Sequence, residues 1–236
     1  MPAGFPGFPP EGLAFLRALA KNNRREWFQP RKAIYEEQVK APMVNLVTRV
    51  TSAMLSFAPA YAGDPEKAIF RIYRDTRFSK DKTPYKTHIA AVFHRRGLNM
   101  HGGGGLYFAV SAKHVEVAGG IYMPAPETLR AVRAHLAERH EEFRDLIGNR
   151  ALRRLLGDMQ GEQLTRPPKG YCAEHPAADL LRYKQFLFYV LLDPSLAATA
   201  KLEREIVNRF RALTPFLECL NAPLAKANNT GRQLWT

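Results

Sequence analysis

The chain has 236 residues, and 46% of them are hydrophobic, enough for a sizeable core without disulfides or structural metals. Its 35 Lys and Arg residues outnumber 22 Asp and Glu, and the formal net charge of +13 favours anionic partners. Cys172 and Cys219 each lack a near cysteine neighbour, which argues against a disulfide framework or a zinc ribbon.

The N-terminal residues show neither the cationic start nor the apolar run of a signal peptide. The longest apolar stretch, Phe186 to Leu192, is too short to span a membrane. We therefore expect a cytoplasmic protein that does not associate with membranes.

The first third of the chain has helical periodicity. A short amphipathic helix is predicted from Glu11 to Ala20, and a second helical run after Pro30 continues past Pro42. Apolar residues then recur three and four positions apart, and we expect them in the core: Met43, Leu46, Val47, Val50, Met54 and Phe57.

After Pro65 the period changes to two, which predicts a sheet. A first strand would place Ala68, Phe70 and Ile72 on one face, with Arg71 and Tyr73 on the other. A second strand is predicted from His88 to His94. Alternation over residues 106–111 and 115–121, joined by a turn at 112–114, predicts a hairpin.

The last third mixes helices with one strand. Helices are predicted from Glu127 to Glu138 and through Leu180 and Leu181, followed by a buried strand from Lys184 to Leu192. Asp193-Pro194 would then begin a long helix. Its predicted core residues are Leu202, Ile206, Phe210, Leu213 and Leu217.

These elements predict a single α+β domain over residues 1–222, followed by a frayed tail over residues 223–236. Its sheet would be mostly antiparallel and backed by helices from both ends of the chain. No internal repeat or linker divides it.

The most polar stretch, residues 71–88, is called here the basic segment; it contains six Lys and Arg against two Asp. Arginine forks match phosphate or carboxylate oxygens, and we expect several of them to converge on one anion site. Asp75 would orient them, because flanking arginines lower its pKa and make it a poor base. The predicted ligand-binding residues of this segment are Arg71, Tyr73, Arg74, Asp75, Arg77 and Lys86.

Two histidines are candidate acid–base catalysts, because the unperturbed pKa of about 6.5 lies near working pH. His88 lies on the second predicted strand, and His175 follows a loop containing Lys169 and Tyr171. If that loop folded over the basic segment, Lys169, Tyr171 and His175 would complete the site. The alternative is that both histidines are hydrogen-bonded structural residues, and that Asp75 and Asp81 pair with cations to fix a long loop.

No metal or cofactor is predicted. His135 and His140 are five residues apart and do not share a helix face. The run of glycines from 102 to 105 lacks the spacing and the Lys-Ser/Thr ending of a phosphate loop.

Separated motifs occur in a specific order along the chain: Asn22-Asn23 with Trp27-Phe28, then Arg71 to Lys86, then Gly119-Gly120 before Pro124, then Lys169-Gly170-Tyr171 with His175-Pro176 and Leu180-Leu181. In this order the chain resembles the microbial family catalogued as domain of unknown function 2461, over about Phe8 to Leu220. The resemblance implies no activity, cofactor or catalytic residue.

Two function classes remain open. The first is an enzyme or binding protein for a small phosphate- or carboxylate-bearing ligand. The second is a nucleic-acid-binding module that uses the basic segment. A closed pocket containing Arg71, Tyr73 and His88 would favour the first, and a wide, shallow basic surface the second.

Overall fold

A computed structural model describes the backbone of residues 4–98 and 102–233, with side chains of the last helix described to residue 225. It has an α+β fold in which helices back a four-stranded antiparallel sheet, which confirms the predicted fold class. The strands are β1 (His88–His94), β2 (Gly105–Ser111), β3 (Val115–Ile121) and β4 (Phe186–Leu192). They are ordered β1-β2-β3-β4 across the sheet, and the predicted hairpin joins β2 to β3.

The helices lie before, between and after the strands. Those before the sheet are α1 (Pro10–Lys21), α2 (Arg25–Phe28), α3 (Lys32–Tyr35), α4 (Ala41–Met54) and α5 (Pro65–Ala68), with a π-helical turn (Glu36–Lys40) between α3 and α4. Between β3 and β4 lie α6 (Pro126–Glu138), α7 (His140–Gly148), α8 (Arg150–Leu156) and α9 (Ala178–Leu181). After β4 come a 3-10 turn (Pro194–Ala198) and α10 (Lys201–Gln233).

The chain contacts divide into two compact units, and the first consists of residues 4–93, 107–117 and 191–208. Its core contains the predicted stripe of α4, because Met43, Leu46, Val47, Val50 and Met54 are fully buried. Phe57, predicted in the same stripe, is only half-buried. Proline at the start of α1 is compatible with a first helical turn, whose backbone donors have no intrahelical partner.

An aromatic cluster adjoins this core, and Phe28 is its centre. Phe28 stacks on Tyr85 with ring centroids 4.1 Å apart, and it contacts Phe15, Tyr35 and Tyr73 at 5.7 to 6.5 Å. Burial, helped by the charge of Glu36, raises the pKa of Tyr35 to about 12. The cluster therefore fixes the start of β1 against the helices of the first unit.

The prediction of a first strand over residues 68–73 was wrong in part. Residues 65–68 form α5, because Asp64 caps its start by accepting a hydrogen bond from the Glu66 amide at 3.1 Å. The chain then forms isolated bridges beside the strand that follows, Ile69 with Ala91 and Tyr73 with Tyr85. Phe70, predicted on the same face as Ile72, is 40% exposed whereas Ile72 is buried, so the predicted alternation is interrupted along with the pairing.

The second unit consists of residues 94–98, 102–106, 118–190 and 209–233. It contains α6 and α9 close to their predicted positions. Asn221 of α10 is fully buried and satisfies both backbone groups of Gly104, accepting from its amide at 2.7 Å and donating to its carbonyl at 3.0 Å. This contact fixes the end of the glycine run before β2.

Two predictions about the C-terminal third need correction. β4 is buried only at its start: Phe186 and Phe188 are fully covered, whereas Tyr189 and Leu191 are exposed. Asp193 does not begin the long helix; it caps the 3-10 turn by accepting from the Ser195 amide at 2.8 Å.

Helix α10 follows that turn and contains the predicted core face, because Leu202, Ile206, Phe210, Leu213 and Leu217 are all fully buried. The backbone of residues 223–233, predicted as a tail, is helical. Residues 234–236 of the predicted tail lie outside the described chain.

Candidate functional site

A bulge lies where the irregular segment before the sheet pairs with the start of β1. Two backbone hydrogen bonds define it: Phe70 donates to the Ala90 carbonyl at 2.9 Å, and Lys86 donates to the Ile72 carbonyl at 2.8 Å. Between these two bonds, Arg71 alone stands opposite residues 87–89. Bulges of this kind redirect side chains and are common beside functional sites.

Three basic side chains belong to the bulge, Arg71, Lys86 and His88, and the charge of His114 acts on His88. These four groups are called here the basic cluster. The charge of Arg71 contributes to lowering the pKa of Lys86, after the larger effect of burial. Burial also lowers the pKa of His88 below 6.5, and the charges of Lys86 and His114 lower it further. These couplings connect Arg71 with Lys86, and His88 with Lys86 and His114, all in the first unit.

Arg71 and Lys86 of this cluster form no ion pair within the described chain. Arg71 is exposed and forms no hydrogen bond or ion pair with any described residue, although its charge is the smallest of the causes that lower the pKa of Asp75. Lys86 packs its Nζ over the Phe70 ring, 4.6 Å from the centroid, and has no carboxylate partner within the described chain. Like charges that repel one another without a counterion favour the binding of an anion.

Tyr107 of β2 and Glu116 of β3 flank the basic cluster. The Tyr107 ring lies 6.4 Å from the Phe70 ring, and burial together with Glu116 raises its pKa well above the ordinary value. Burial raises the pKa of Glu116, and His114 partly offsets this shift. A carboxyl group that ionises less readily than usual opposes an anion less than an ordinary glutamate would.

Of the three arginines expected to converge, two pair with acids of their own loop. Arg77 makes a two-point contact with Asp75, at 3.0 and 2.7 Å, which lowers the pKa of Asp75 to about 2. Arg74 contacts Asp81 at 2.5 Å and also the Thr83 hydroxyl. The alternative interpretation, in which ion pairs fix a long loop, describes Arg74 and Arg77.

Tyr73 lies in the aromatic cluster, 5.5 Å from the ring of Tyr85. Tyr85 is in turn held by Asn23, whose side-chain amide donates to its carbonyl at 2.8 Å and accepts from its N–H at 3.0 Å. Asn23 therefore positions the residue immediately before Lys86. This gives a physical role to one residue of the Asn22-Asn23 motif.

Lys169, Tyr171 and His175 all lie in the second unit. The His175 ring lies 5.8 Å from Tyr171 and 6.5 Å from His140, and its Nδ1 accepts a hydrogen bond from the Ala177 amide at 3.0 Å. The Nδ1 of His175 is thus engaged in a local structural hydrogen bond, and the Nε2 of the same ring takes no part in it. Lys169 is exposed.

Sequence reasoning missed His114 as a member of the basic cluster. It precedes β3 and lies two positions before Glu116, a spacing that shares a strand face, and this was the available signal. It also missed Phe78, whose side chain is 95% exposed at the tip of the loop between Arg74 and Thr83. An aromatic residue amid turn-forming and basic residues was the signal there.

Two cavities of the described chain lie away from the basic cluster. One of about 500 Å³ is lined by Arg24, Glu26, Trp27 and Arg31, and the other, of about 340 Å³, lies among α7, α8 and α9. No group of three potential metal ligands occurs within the described residues. In the same part of the chain, none of the helices is both long and apolar enough to span a membrane.

Comparison with known proteins identifies the family and leaves the activity open. Neither a curated protein nor a solved structure matches the chain. The sequence model of one family matches residues 11–218, which include Asn23, the basic cluster and the loop containing Tyr171 and His175. The chain therefore belongs to the family described as conserved hypothetical protein (DUF2461).

Proposed function

We propose that the first unit binds a small ligand bearing a phosphate or carboxylate group at the basic cluster. The observation that supports this most is the contrast between Arg71, which forms no ion pair in the described chain, and Arg74 and Arg77, which form one each. Arg71 offers a fork of donors, and Lys86 adds a point charge beside it. The site is open, so affinity would come mainly from charge.

His88 and Glu116 give the proposed site a pH dependence. An anion beside His88 would raise its lowered pKa, so that the histidine takes up a proton when ligand binds. Ligand affinity is then expected to increase as pH falls through the pKa that His88 has in the complex. Protonation of Glu116, whose pKa is raised by burial, would act in the same direction.

The test is a calorimetric titration with inorganic phosphate and with succinate at constant ionic strength. Loss of a charge-assisted hydrogen bond costs about 1.5–3 kcal/mol, so Arg71→Met should weaken binding by about 10- to 150-fold. Arg77→Met is the matched control, because it removes the same charge from an arginine that Asp75 already neutralises. Equal weakening by both substitutions, or by neither, would refute the proposal.

A second candidate function, binding of single-stranded nucleic acid, is favoured by Phe78. This exposed ring lies 5.7 Å from the Arg77 guanidinium, and its loop is tied by Lys82, which donates to the Thr76 carbonyl at 2.9 Å. An exposed aromatic ring beside cations matches the stacking platforms that bind single strands.

Binding of a fluorescently labelled oligothymidylate distinguishes the two candidates. Stacking is worth about 1–3 kcal/mol per base, so Phe78→Ala should weaken binding by roughly 5- to 150-fold, while Phe78→Tyr should retain it. Log affinity should also fall linearly with log salt, with a slope of about −0.7 per phosphate contact. If Phe78→Ala binds as tightly as the parent protein, the nucleic-acid candidate fails and the small-ligand proposal is unaffected.

A further inference from the structure

A cavity of about 340 Å³ lies among α7, α8 and α9, in the second unit. Its volume is within the range of small-molecule sites, which are typically about 300–1,000 Å³. The lining residues all come from positions 144–183, so one continuous part of the chain forms the cavity. None of them belongs to the basic cluster, which lies in the first unit.

The two ends of α8 place one charged pair at this cavity. Asn149 caps the start of the helix, because its side-chain oxygen accepts from two backbone amides of the first turn at 2.9 and 3.1 Å. The helix ends at Gly157, whose φ of 78° lies in the left-handed region that glycine adopts without strain. The turn brings the chain back to α8, where Oδ1 of Asp158 lies 2.5 Å from Nη2 of Arg153.

A second charged pair connects α7 with α9. Arg144 makes a two-point contact with Asp179, at 3.0 and 2.6 Å, and also donates to the Pro176 carbonyl at 2.9 Å. This pair is therefore a fixed wall of the cavity. Arg153 and Asp158, by contrast, share one contact, and their side chains have no other partner within the described residues. Both are exposed, and exposed ion pairs stabilise a protein little, so a ligand could separate this one at low cost.

Apolar side chains complete the lining. Leu180 is buried, and Ile147, Met159 and Tyr183 are half-buried. Met159 is held in place by its neighbour Gln160, whose amide donates to the carbonyl of residue 187 in β4 at 2.7 Å. Half-buried apolar groups leave surface that an apolar part of a ligand would remove from water.

The charges of the lining are balanced, with two arginines and two aspartates. A ligand with one charge would be attracted by two of these groups and repelled by the other two. A zwitterion can place each of its charges beside the opposite one, and arginine forks bind carboxylates through two parallel hydrogen bonds.

We infer that this cavity binds an apolar α-amino acid. The ligand carboxylate accepts from Arg153, its ammonium group donates to Asp158, and its side chain contacts the apolar lining. The site and the proposed function use different residues, so either can fail without the other.

The experiment is a calorimetric titration of the full chain with L-leucine and with three related compounds. Isoamylamine lacks the carboxylate of leucine, isocaproate lacks its ammonium group, and glycine lacks its side chain. We expect saturable binding of leucine. Each of the first two compounds should bind about 10-fold more weakly or worse, because each loses a charge-assisted hydrogen bond. Glycine should also bind more weakly, because it removes no apolar surface from water.

Substitutions of exposed residues then test the two contacts separately. Arg153→Met should weaken leucine binding by about 10- to 150-fold without weakening that of isoamylamine. Asp158→Asn should weaken leucine binding without weakening that of isocaproate. Arg154→Met is the matched control, because it removes the same charge from an exposed position of α8 that does not line the cavity.

The dependence on the analogue distinguishes a ligand contact from a purely structural role, which would affect all the compounds alike. Three results would each overturn the inference. They are the absence of saturable leucine binding up to about 10 mM, equal affinity for leucine and both singly charged analogues, and equal weakening by Arg153→Met and Arg154→Met.

Discussion

The hydrogen bonds between Asn23 and Tyr85 provide the sharpest test of how the first unit positions the basic cluster. Asn23→Ala would remove both bonds and leave the buried N–H and C=O of Tyr85 without their partner. Two lost hydrogen bonds at about 1 kcal/mol each, with an added penalty for groups left buried, give an expected cost of about 2–4 kcal/mol. That is a large part of the 5–15 kcal/mol typical of a folded protein.

Asn22→Ala is the matched control. The Asn22 side chain donates to the Ala18 carbonyl at 2.9 Å, but that carbonyl also accepts from the Asn22 amide at 3.0 Å and would stay satisfied. Its loss should therefore cost about 0.5–1 kcal/mol. The two neighbouring asparagines differ in what they leave unpaired, not in chemistry.

The assay is urea unfolding followed by the fluorescence of Trp27, which lies 5.5 Å from Phe15 in the aromatic cluster. A Trp235→Phe background leaves Trp27 as the single tryptophan, so the signal reports on the first unit. Free energies of unfolding that differ by less than about 0.5 kcal/mol between the two variants would refute the reasoning. Phosphate affinity should fall with Asn23→Ala, because Lys86 follows Tyr85 directly.

Two further predictions concern backbone strain and pH. Gly120 has φ of 144°, and an added Cβ would lie 2.0 Å from the Phe186 carbonyl oxygen; Gly157 has φ of 78° and open space around it. Both Gly→Ala variants should therefore introduce backbone strain. Gly120→Ala should lower the free energy of unfolding, measured in urea, by at least about 2 kcal/mol more than Gly157→Ala. Equal losses would contradict the described contact. The lowered pKa of His88 means that its neutral form contributes stability above pH 6.5, which is lost as pH falls through that lowered pKa. His88→Gln should make the stability of the ligand-free protein less sensitive to acid over this range, and an unchanged pH profile would exclude the stated cause.

The spacing of apolar residues was sufficient to predict a helix or strand wherever its apolar side chains all face the same environment. The stripe of α4, the core face of α10, the hairpin from β2 to β3 and the strand His88–His94 all followed from spacing alone. Spacing failed at residues 68–73, where alternation predicted a continuous strand and the bulge opposite Arg71 interrupts the pairing. Alternation records which side chains face a core, but backbone register depends on the partner strand.

The amino-acid order alone determined the fold class, the principal helices and strands and the position of a dense basic segment, because burial of apolar side chains repeats with the period of each element. Tertiary structure decided which cations form ion pairs and which remain unpaired. Arg71, Arg74 and Arg77 are equivalent in the sequence, but loop closure gives Asp81 to Arg74 and Asp75 to Arg77, and leaves Arg71 beside Lys86. Charge pairing and desolvation depend on distances in space, so neither could be obtained from a local pattern.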